Sequence, residues 1–301
     1  MESSALVEDR ERVLRQATSA AVAVALTLAV AKIVAVWLSG SVALLASALD
    51  SALDASASLI NALAVRYALK PADAEHRFGH GKSEALAGLA QALLISGSGA
   101  FVIQRAIDRL LHPQPLAATG LGLAVMLFAL LATMGLVLLQ RRAIRLTGSH
   151  AIKADALHYV SDLAANLAAI LALLLAPLGY PRADGWLAIA IAIATFYGAL
   201  VIGWEVFQIL MDHELPVDEQ ERIRKIALAH GEVRGLHALR TRRSGPTTLI
   251  QFHLELDAQL SLLEANRVAH EVSASLERAF PGADVLIHQD PAVDPSGRAT
   301  G

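Results

Sequence analysis

Four stretches of this chain contain no charged residue and are long enough to cross a lipid bilayer. They are Ala85–Gln104, Pro113–Gln140, Leu163–Pro181 and Gly185–Trp204. About twenty predominantly apolar residues span the hydrocarbon core of a membrane as a helix. Each stretch therefore predicts a transmembrane helix.

Two further stretches bring the predicted number of transmembrane helices to six. Ala17–Leu38 contains a single charged residue, Lys32, and Ser41–Ala68 contains Asp50, Asp54 and Arg66. Hydrophobic residues make up 55% of the chain and charged residues 18%, against roughly half and a quarter in soluble domains. The residues before Ala17 are charged with mixed sign and lack the apolar core of a signal peptide.

The overall charge and the absence of cysteine exclude several kinds of function. The formal net charge is −3, which leaves no basic excess to neutralise a nucleic-acid backbone. Without cysteine there are no disulfides, thiol nucleophiles or thiolate metal sites. Any metal ion must be bound by histidine and carboxylate side chains.

The distribution of basic residues predicts that both termini are cytoplasmic. Lysine and arginine accumulate in cytoplasmic loops. Here they cluster before the first predicted helix, between the second and third, and between the fourth and fifth, as Arg10, Arg12, Arg15, Lys70, Arg77, Lys82, Arg141, Arg142, Arg145 and Lys153. Few lie in the alternate predicted loops, around Ser39-Gly40, His112–Pro115 and Tyr180–Asp184.

The composition changes after Asp212, where alternating and amphipathic patterns predict a small cytoplasmic α+β domain. The patterns follow the order αββαβ, with a hairpin turn predicted at Ser244-Gly245-Pro246. We therefore expect an α-helical membrane protein with an N-terminal cytoplasmic segment (1–16), a six-helix domain (17–211), a small α+β domain (212–291) and a disordered tail (292–301).

Two pairs of polar residues within the predicted transmembrane helices form a candidate metal site. Asp50 and Asp54, and likewise His158 and Asp162, are four residues apart, so each pair lies on one helix face. A charge near mid-bilayer costs about 2.5–3.5 kcal/mol on the most lenient scale. Three carboxylates and one imidazole suit a divalent cation such as Zn²⁺, and Fe²⁺, Mn²⁺, Co²⁺ and Cd²⁺ fit as well.

Two further groups of ligand-type residues lie outside the predicted membrane helices. One is the loop that holds Asp73, His76 and His80, and the other is the predicted sheet that carries His237, His253, His288 and Asp290. Each residue taken alone is as well explained by an ordinary solvated side chain. Their clustering predicts further metal sites, because neighbouring strands are only about 4.8 Å apart.

With these motifs the chain resembles the cation diffusion facilitator family, and in particular its bacterial exporters of zinc and ferrous iron. The resemblance covers Ala17 to Pro291 and includes the segments SVALLASALDSALDASASLINALAVRYALKPADAEHRFGHGKSEALAGLAQ, ADALHYVSDLAAN, LRTRRSGPT and VLIHQDP. It implies six transmembrane helices and a metallochaperone-like (ferredoxin-like) cytoplasmic domain. It also implies a homodimer in the lipid of the inner cell membrane that exports divalent metal ions, Zn²⁺ with Fe²⁺ or Cd²⁺, in exchange for protons. No nucleic acid is implied.

The resemblance also assigns roles to residues. It implies a transport site at Asp50, Asp54, His158 and Asp162, a membrane-face site at Asp73, His76 and His80, and a binuclear regulatory Zn²⁺ site at His237, His253, His288 and Asp290. It implies salt bridges of Lys82 and Asp212 near the dimer interface, whereas the residues alone equally allow two solvated helix-end charges. Asn266 stands where relatives carry a histidine ligand; His270, one turn later, could substitute for it, although we favour a solvated role.

Two other function classes compete with a transporter. A membrane metalloenzyme would use the same ligands around an activated water, but a catalytic zinc site keeps an open position and the intramembrane set offers four ligands. A metal sensor would explain the C-terminal histidines and leave the intramembrane charges unexplained. The sequence therefore favours a proton-coupled transporter, which is not an enzyme.

Overall fold

The structure is a computed structural model that describes residues 2–39, 42–111, 120–175, 178, 183–245 and 247–292. The chain forms two compact units. The helical unit comprises Glu11–Gly79 and Ser83–Phe207. The α+β unit comprises the chain from Gln208 onward together with His80–Lys82 and the first ten residues. The predicted loops at Ser39-Gly40, His112–Pro115 and Tyr180–Asp184 lie mostly outside the described residues, and the predicted tail lies there from residue 293 onward.

Six long helices precede the α+β fold. They are α1 (Glu2–Ser39), α2 (Val42–Ala68), α3 (Lys82–Leu111), α4 (Gly120–Thr147), α5 (His150–Leu175) and α6 (Ala183–Leu210). Within the described residues, five of them contain a segment long and apolar enough to cross a membrane: Asp9–Leu38, Ser47–Ala68, Lys82–Asp108, Ala124–Thr147 and Gly185–Leu210. The expected helical membrane domain is confirmed.

The helix α5 differs from the other five because its first half is polar. It carries Lys153, Asp155, His158 and Asp162, and only its second half is continuously apolar. The apolar stretch predicted here, Leu163–Pro181, extends past the described end of the helix. The helix packs against α2 and α4; Asp155 is buried, and the other three polar side chains are partly buried.

The helical unit is packed with small residues inside and covered with large apolar residues outside. Ala21, Ala62 and Ala151 are at most 3% exposed, while Leu93 and Leu131 are about two-thirds exposed. Small residues let membrane helices approach closely, and an apolar exterior is the surface that lipid requires. This arrangement is that of a multi-pass membrane protein.

The α+β unit contains two helices and a three-stranded sheet. The elements are α7 (Val217–Leu228), β1 (Val233–Ser244), β2 (Thr247–Leu256), α8 (Leu262–Ala279) and β3 (Asp284–Pro291), in the predicted order αββαβ. The sheet order is β1-β2-β3, with β1 antiparallel and β3 parallel to β2. Gly245 has a φ of 57° at the β1–β2 turn, a left-handed conformation that glycine adopts without steric cost.

Local sequence signals explain these boundaries. The side chain of Ser261 accepts a hydrogen bond from the N–H of Glu264, and the Glu264 carboxylate accepts one from the N–H of Ser261, which is a capping box at the start of α8. The helices cover one face of β2, whose inward residues Ile250, Phe252 and Leu254 are at most 2% exposed. Because side chains alternate along a strand, His253 and Glu255 lie on the opposite face.

Candidate metal sites

The helices α2 and α5 bring three of the four predicted intramembrane ligands together. His158 Nε2 lies 2.9 Å from Asp54 Oδ1 and 3.5 Å from Asp162 Oδ2. One ligand atom from each of the three residues lies within 4.8 Å of the others, a spacing that one small cation can bridge. All three side chains are partly buried in the helical unit.

The contacts between α2 and α5 follow an antiparallel register. Asp54 contacts His158; one turn along α2, Ser58 contacts Asp155 and Tyr159; and a further turn along, Asn61 donates to the carbonyl of Ala151. Each step forward on α2 is a step backward on α5. This register explains why two independent four-residue spacings, one on each helix, converge at one place.

Asp50 is the fourth predicted ligand and lies outside this group of three. Its side chain is exposed on α2, one helical turn before Asp54. The next residue, Ser51, is 5% exposed and accepts a hydrogen bond from Lys32 Nζ at 2.6 Å. Lys32 is the one charge in the predicted first span, so the structure places a cation in α1 within one residue of an acid. The role of Asp50 as a ligand stays a prediction.

The loop after α2 is organised around Asp73. Its Oδ1 accepts hydrogen bonds from the backbone N–H groups of Glu75 (3.0 Å) and His76 (2.7 Å), and it lies 3.5 Å from His76 Nδ1. His80 is buried and belongs to the α+β unit, whereas Asp73 and His76 belong to the helical unit. The three-residue membrane-face site stays a prediction.

Three histidines form a row across the sheet of the α+β unit. His237 on β1 is paired with His253 on β2, which is paired with His288 on β3. The ring centroids of neighbours in this row are 5.0 Å and 4.6 Å apart. The sheet register thus places three predicted ligands side by side on the face away from the helices.

Asp290 connects the histidines of this row. Its Oδ2 lies 2.8 Å from His253 Nδ1 and 3.4 Å from His237 Nε2, and its Oδ1 lies 3.2 Å from His288 Nε2. The hydrogen bond with His253 is the main reason that the pKa of the Asp290 carboxyl is lowered from its ordinary value, and the neighbouring histidines lower it further. An ionised carboxylate among imidazoles is a donor set that fits Zn²⁺ and related divalent ions.

Two acidic residues that the sequence interpretation did not single out lie beside these clusters. Asp155 is 2% exposed, and it accepts a hydrogen bond from Gln140 Nε2 at 2.7 Å and one from Ser58 at 3.4 Å. The Oε1 of Glu255 lies 2.8 Å from Nδ1 of His237. The sequence could have indicated Glu255, because His253 and Glu255 are two residues apart on a predicted strand and their side chains therefore share one face of the sheet.

Asn266 and His270, whose roles in metal binding the sequence leaves open, lie on α8 and apart from the histidine row. Asn266 and His270 are both exposed, and His270 does not belong to a group of converging metal-ligand atoms among the described residues. The solvated role of His270 stays a prediction.

Lys82 and Asp212 form an ion pair within the chain. Lys82 Nζ lies 2.8 Å from Asp212 Oδ1, and Arg242 Nη1 lies 2.9 Å from Asp212 Oδ2. The carboxylate therefore has two cationic partners, of which the sequence interpretation named one. The position of this pair near a dimer interface stays a prediction.

Comparison with known proteins agrees with this architecture. Residues 19–211 match the model of the cation efflux transmembrane domain, and residues 215–292 match that of the cation efflux protein cytoplasmic domain. The cation-efflux pump FieF of Pectobacterium atrosepticum is 49% identical over 280 residues, which cover 93% of each chain. FieF of Klebsiella pneumoniae is 48% identical over 281 residues, which cover 93% of this chain and 94% of that one. A solved structure of CzrB is 37% identical, covers 26% of this chain and 99% of its own, and has a TM-score of 0.26.

Proposed function

Since this chain belongs to the cation efflux (cation diffusion facilitator) family and is therefore a membrane transporter and not an enzyme, we propose that it exports divalent metal ions in exchange for protons. The cargo is Zn²⁺, with Fe²⁺ and Cd²⁺ as alternatives, and it binds at Asp54, His158 and Asp162, with Asp50 as the fourth ligand. The observation that carries this proposal is the convergence of His158 Nε2 with two carboxylates between α2 and α5.

Proton coupling follows from the chemistry of the ligands. Histidine binds a metal ion only when it is neutral, and carboxylates bind only when they are ionised. An entering metal ion must therefore displace protons, and protons that arrive from the other side favour its release.

The choice of metal follows from the donor set. Carboxylate oxygens and one imidazole nitrogen accept Zn²⁺, Fe²⁺ and Cd²⁺, while the absence of thiolates disfavours Cu⁺. The names of the relatives refer to cation efflux without naming a metal. We place zinc first because tetrahedral coordination by nitrogen and oxygen ligands is its usual geometry.

The remaining ligand groups have supporting roles in this proposal. His237, His253, His288 and Asp290 bind a regulatory Zn²⁺ on the cytoplasmic side, and Asp73, His76 and His80 bind metal at the membrane face. The protein works as a homodimer in the inner membrane with both termini in the cytoplasm. The match to the family's cytoplasmic domain and the concentration of basic residues in alternate loops support this arrangement.

Proteoliposomes that contain a pH-sensitive dye and a zinc-sensitive dye test the proposal. The full chain should move Zn²⁺ across the membrane and move protons in the opposite direction. The Asp54→Ala variant should abolish both movements while the protein still inserts, because it removes a ligand and also relieves repulsion between carboxylates. Zinc movement without counter-movement of protons would refute the antiport, and transport by Asp54→Ala near the parent rate would refute the site.

A further inference from the structure

Glu255 lies next to the histidine row and contacts one of its members. Its Oε1 is 2.8 Å from Nδ1 of His237, while the other ring nitrogen, Nε2, faces Asp290 Oδ2 at 3.4 Å. The converging ligand atoms of this site come from His237, His253 and Asp290, and Glu255 is not among them. The carboxylate therefore lies behind the imidazole, on the side away from the ligand atoms.

The residue opposite Glu255 leaves room for this contact. Gly235 on β1 is paired with Glu255 on β2. A Cβ atom at position 235 would overlap the Glu255 carboxylate and would lie 2.9 Å from its Cδ, closer than real contacts allow. Any other residue at this position would push the carboxylate out of its present place.

The backbone of β1 is irregular on both sides of His237. The register shifts between Val233 and Gly235 and again between His237 and Arg240, and Ala238 has a φ of 51°. Bulges of this kind redirect a side chain locally. The direction of the His237 ring is therefore set by local features and not by the regular pleat of the strand alone.

We propose that Glu255 is a positioning residue that holds His237 with Nε2 aimed at the metal, and that Gly235 provides the space in which it does so. A histidine that binds metal through one nitrogen commonly donates its other N–H to a carboxylate, which fixes the tautomer and ring orientation. Loss of such a partner typically weakens metal binding 10- to 100-fold. The inference rests on the proposed binding of zinc by His237, His253 and Asp290.

Two other roles for Glu255 give different results. An ion pair at the surface is worth little, and His237 and Glu255 are 49% and 37% exposed, so a pair without a positioning role would leave metal affinity unchanged. If Glu255 were a direct ligand, Glu255→Gln would abolish nearly all of its contribution to metal binding. If Glu255 positions His237, Glu255→Gln keeps part of that contribution, because an amide oxygen still accepts the hydrogen bond from Nδ1–H.

The experiment is a Zn²⁺ titration of the full chain in detergent against a chelating dye. All variants carry Asp54→Ala and His76→Ala, so that the transport and loop sites contribute little. Relative to this background, Glu255→Ala should raise the Kd about 10- to 100-fold and Glu255→Gln by a smaller factor. Glu277→Ala is the matched control, because that carboxylate hydrogen-bonds Ser273 on α8 and should leave the Kd unchanged.

A double-mutant cycle tests whether Gly235 acts through Glu255. Gly235→Ala alone should weaken binding about tenfold, but it should add nothing in the Glu255→Ala background, because the atoms it would strike are then absent. A Glu255→Ala Kd within twofold of the control, or full additivity of the two changes, would overturn the proposal. Unchanged binding in His253→Ala would instead overturn the zinc site itself, and the inference with it.

Discussion

The turn at Asp212 combines an unfavourable backbone conformation with an ion triad. Asp212 has a φ of 58°, its N–H donates to the carbonyl of Ile209, and the N–H of His213 donates to that of Gln208. This is the Schellman pattern of a helix end, in which glycine is usual at the left-handed position. The same residue accepts hydrogen bonds from Lys82 and Arg242, so its substitutions separate two opposing contributions to stability.

The structure gives the size of each contribution. A residue other than glycine in the left-handed region costs about 1–2 kcal/mol, and less for aspartate and asparagine. The three side chains of the triad are between 29% and 41% exposed, so each ion pair is screened and contributes about 0.2–1 kcal/mol. Asp212→Gly loses the pairs and gains a relaxed backbone, and should change stability by less than about 1 kcal/mol.

Alanine and asparagine should behave differently at this position. Asp212→Ala loses the pairs and still adopts the left-handed conformation, so it should be the least stable, by about 1–2 kcal/mol. Asparagine adopts the left-handed conformation more readily than alanine, so Asp212→Asn loses only the charge and its stability should lie between those of the alanine and glycine variants. From most to least stable, the expected order is wild type or glycine, then asparagine, then alanine.

The pH dependence isolates the charge. Partial burial acts to raise the pKa of Asp212, but the hydrogen bonds from Lys82 and Arg242 outweigh it and the pKa is lowered overall. A carboxyl with a lowered pKa stabilises the folded state above its unfolded pKa of about 3.9 and loses that contribution as the pH falls through the folded value. The difference between wild type and Asp212→Asn should therefore be full at pH 7 and shrink below about pH 4.

Urea unfolding of the full chain in detergent, followed by far-UV circular dichroism, measures this series at pH 7 and at several lower values. Equal stability of the alanine and glycine variants would refute the backbone argument. An asparagine variant as stable as the wild type at pH 7 would refute a contribution from the triad. Asp218→Asn, on the neighbouring helix α7, is a control for removal of one negative charge.

Three further predictions concern the charged residues of the candidate sites. Exchange of charges by Lys82→Glu with Asp212→Lys should recover little of the stability lost in Lys82→Glu, because Arg242 would then face a lysine; adding Arg242→Glu should restore it, as measured by the same unfolding assay. His270→Ala should leave the number and affinity of bound Zn²⁺ ions unchanged in titration calorimetry, and a lost ion would make it a ligand. His158→Asp should still bind metal but change the pH profile of transport, because it replaces the one imidazole of the site by a carboxylate, whereas an unchanged profile would remove His158 from the proton path.

The sequence predicted those features that depend on periodicity. The four-residue spacings of Asp50 with Asp54 and of His158 with Asp162 indicated shared helix faces, and α2 and α5 do bring three of these residues together. The order αββαβ was likewise readable from alternation, because one face of β2 is buried and the other is polar. Composition alone was enough to indicate the membrane helices.

What the sequence did not predict depends on register and backbone conformation. Arg242 reaches Asp212 only because the end of α6 turns through a left-handed residue and because β1 extends to Ser244. The parallel pairing of β3 with β2, which aligns His288 with His253, follows from tertiary packing and not from either strand alone. Lys32 and Ser51 are 19 residues apart in the chain and lie on two different helices. No pattern within a single helix predicts their contact.

Asp155 lies beside the intramembrane ligands without being one of them. It precedes His158 by three residues, is 2% exposed, and is bonded to Gln140 of α4 and Ser58 of α2, while Ser58 also bonds Tyr159. This buried network joins α2, α4 and α5 through one carboxylate. A buried polar group that loses its hydrogen-bond partner destabilises the folded protein by its desolvation free energy, about 1–3 kcal/mol.

Asp155→Ala should therefore lower the thermal stability of the detergent-purified protein by about 1–3 kcal/mol, because it leaves the Gln140 amide buried without this acceptor. Gln140→Leu combined with Asp155→Leu should cost less than the sum of the single changes, since neither polar group then remains without the other. Asp155→Asn keeps an acceptor for Gln140 and the same volume, so it should stay close to wild type in stability. If this near-isosteric variant also transports zinc at the parent rate, the network is structural; if it is stable and transports poorly, the charge of Asp155 acts on the site. Equal destabilisation by alanine and asparagine would refute the hydrogen-bond argument, because only the alanine variant removes the acceptor.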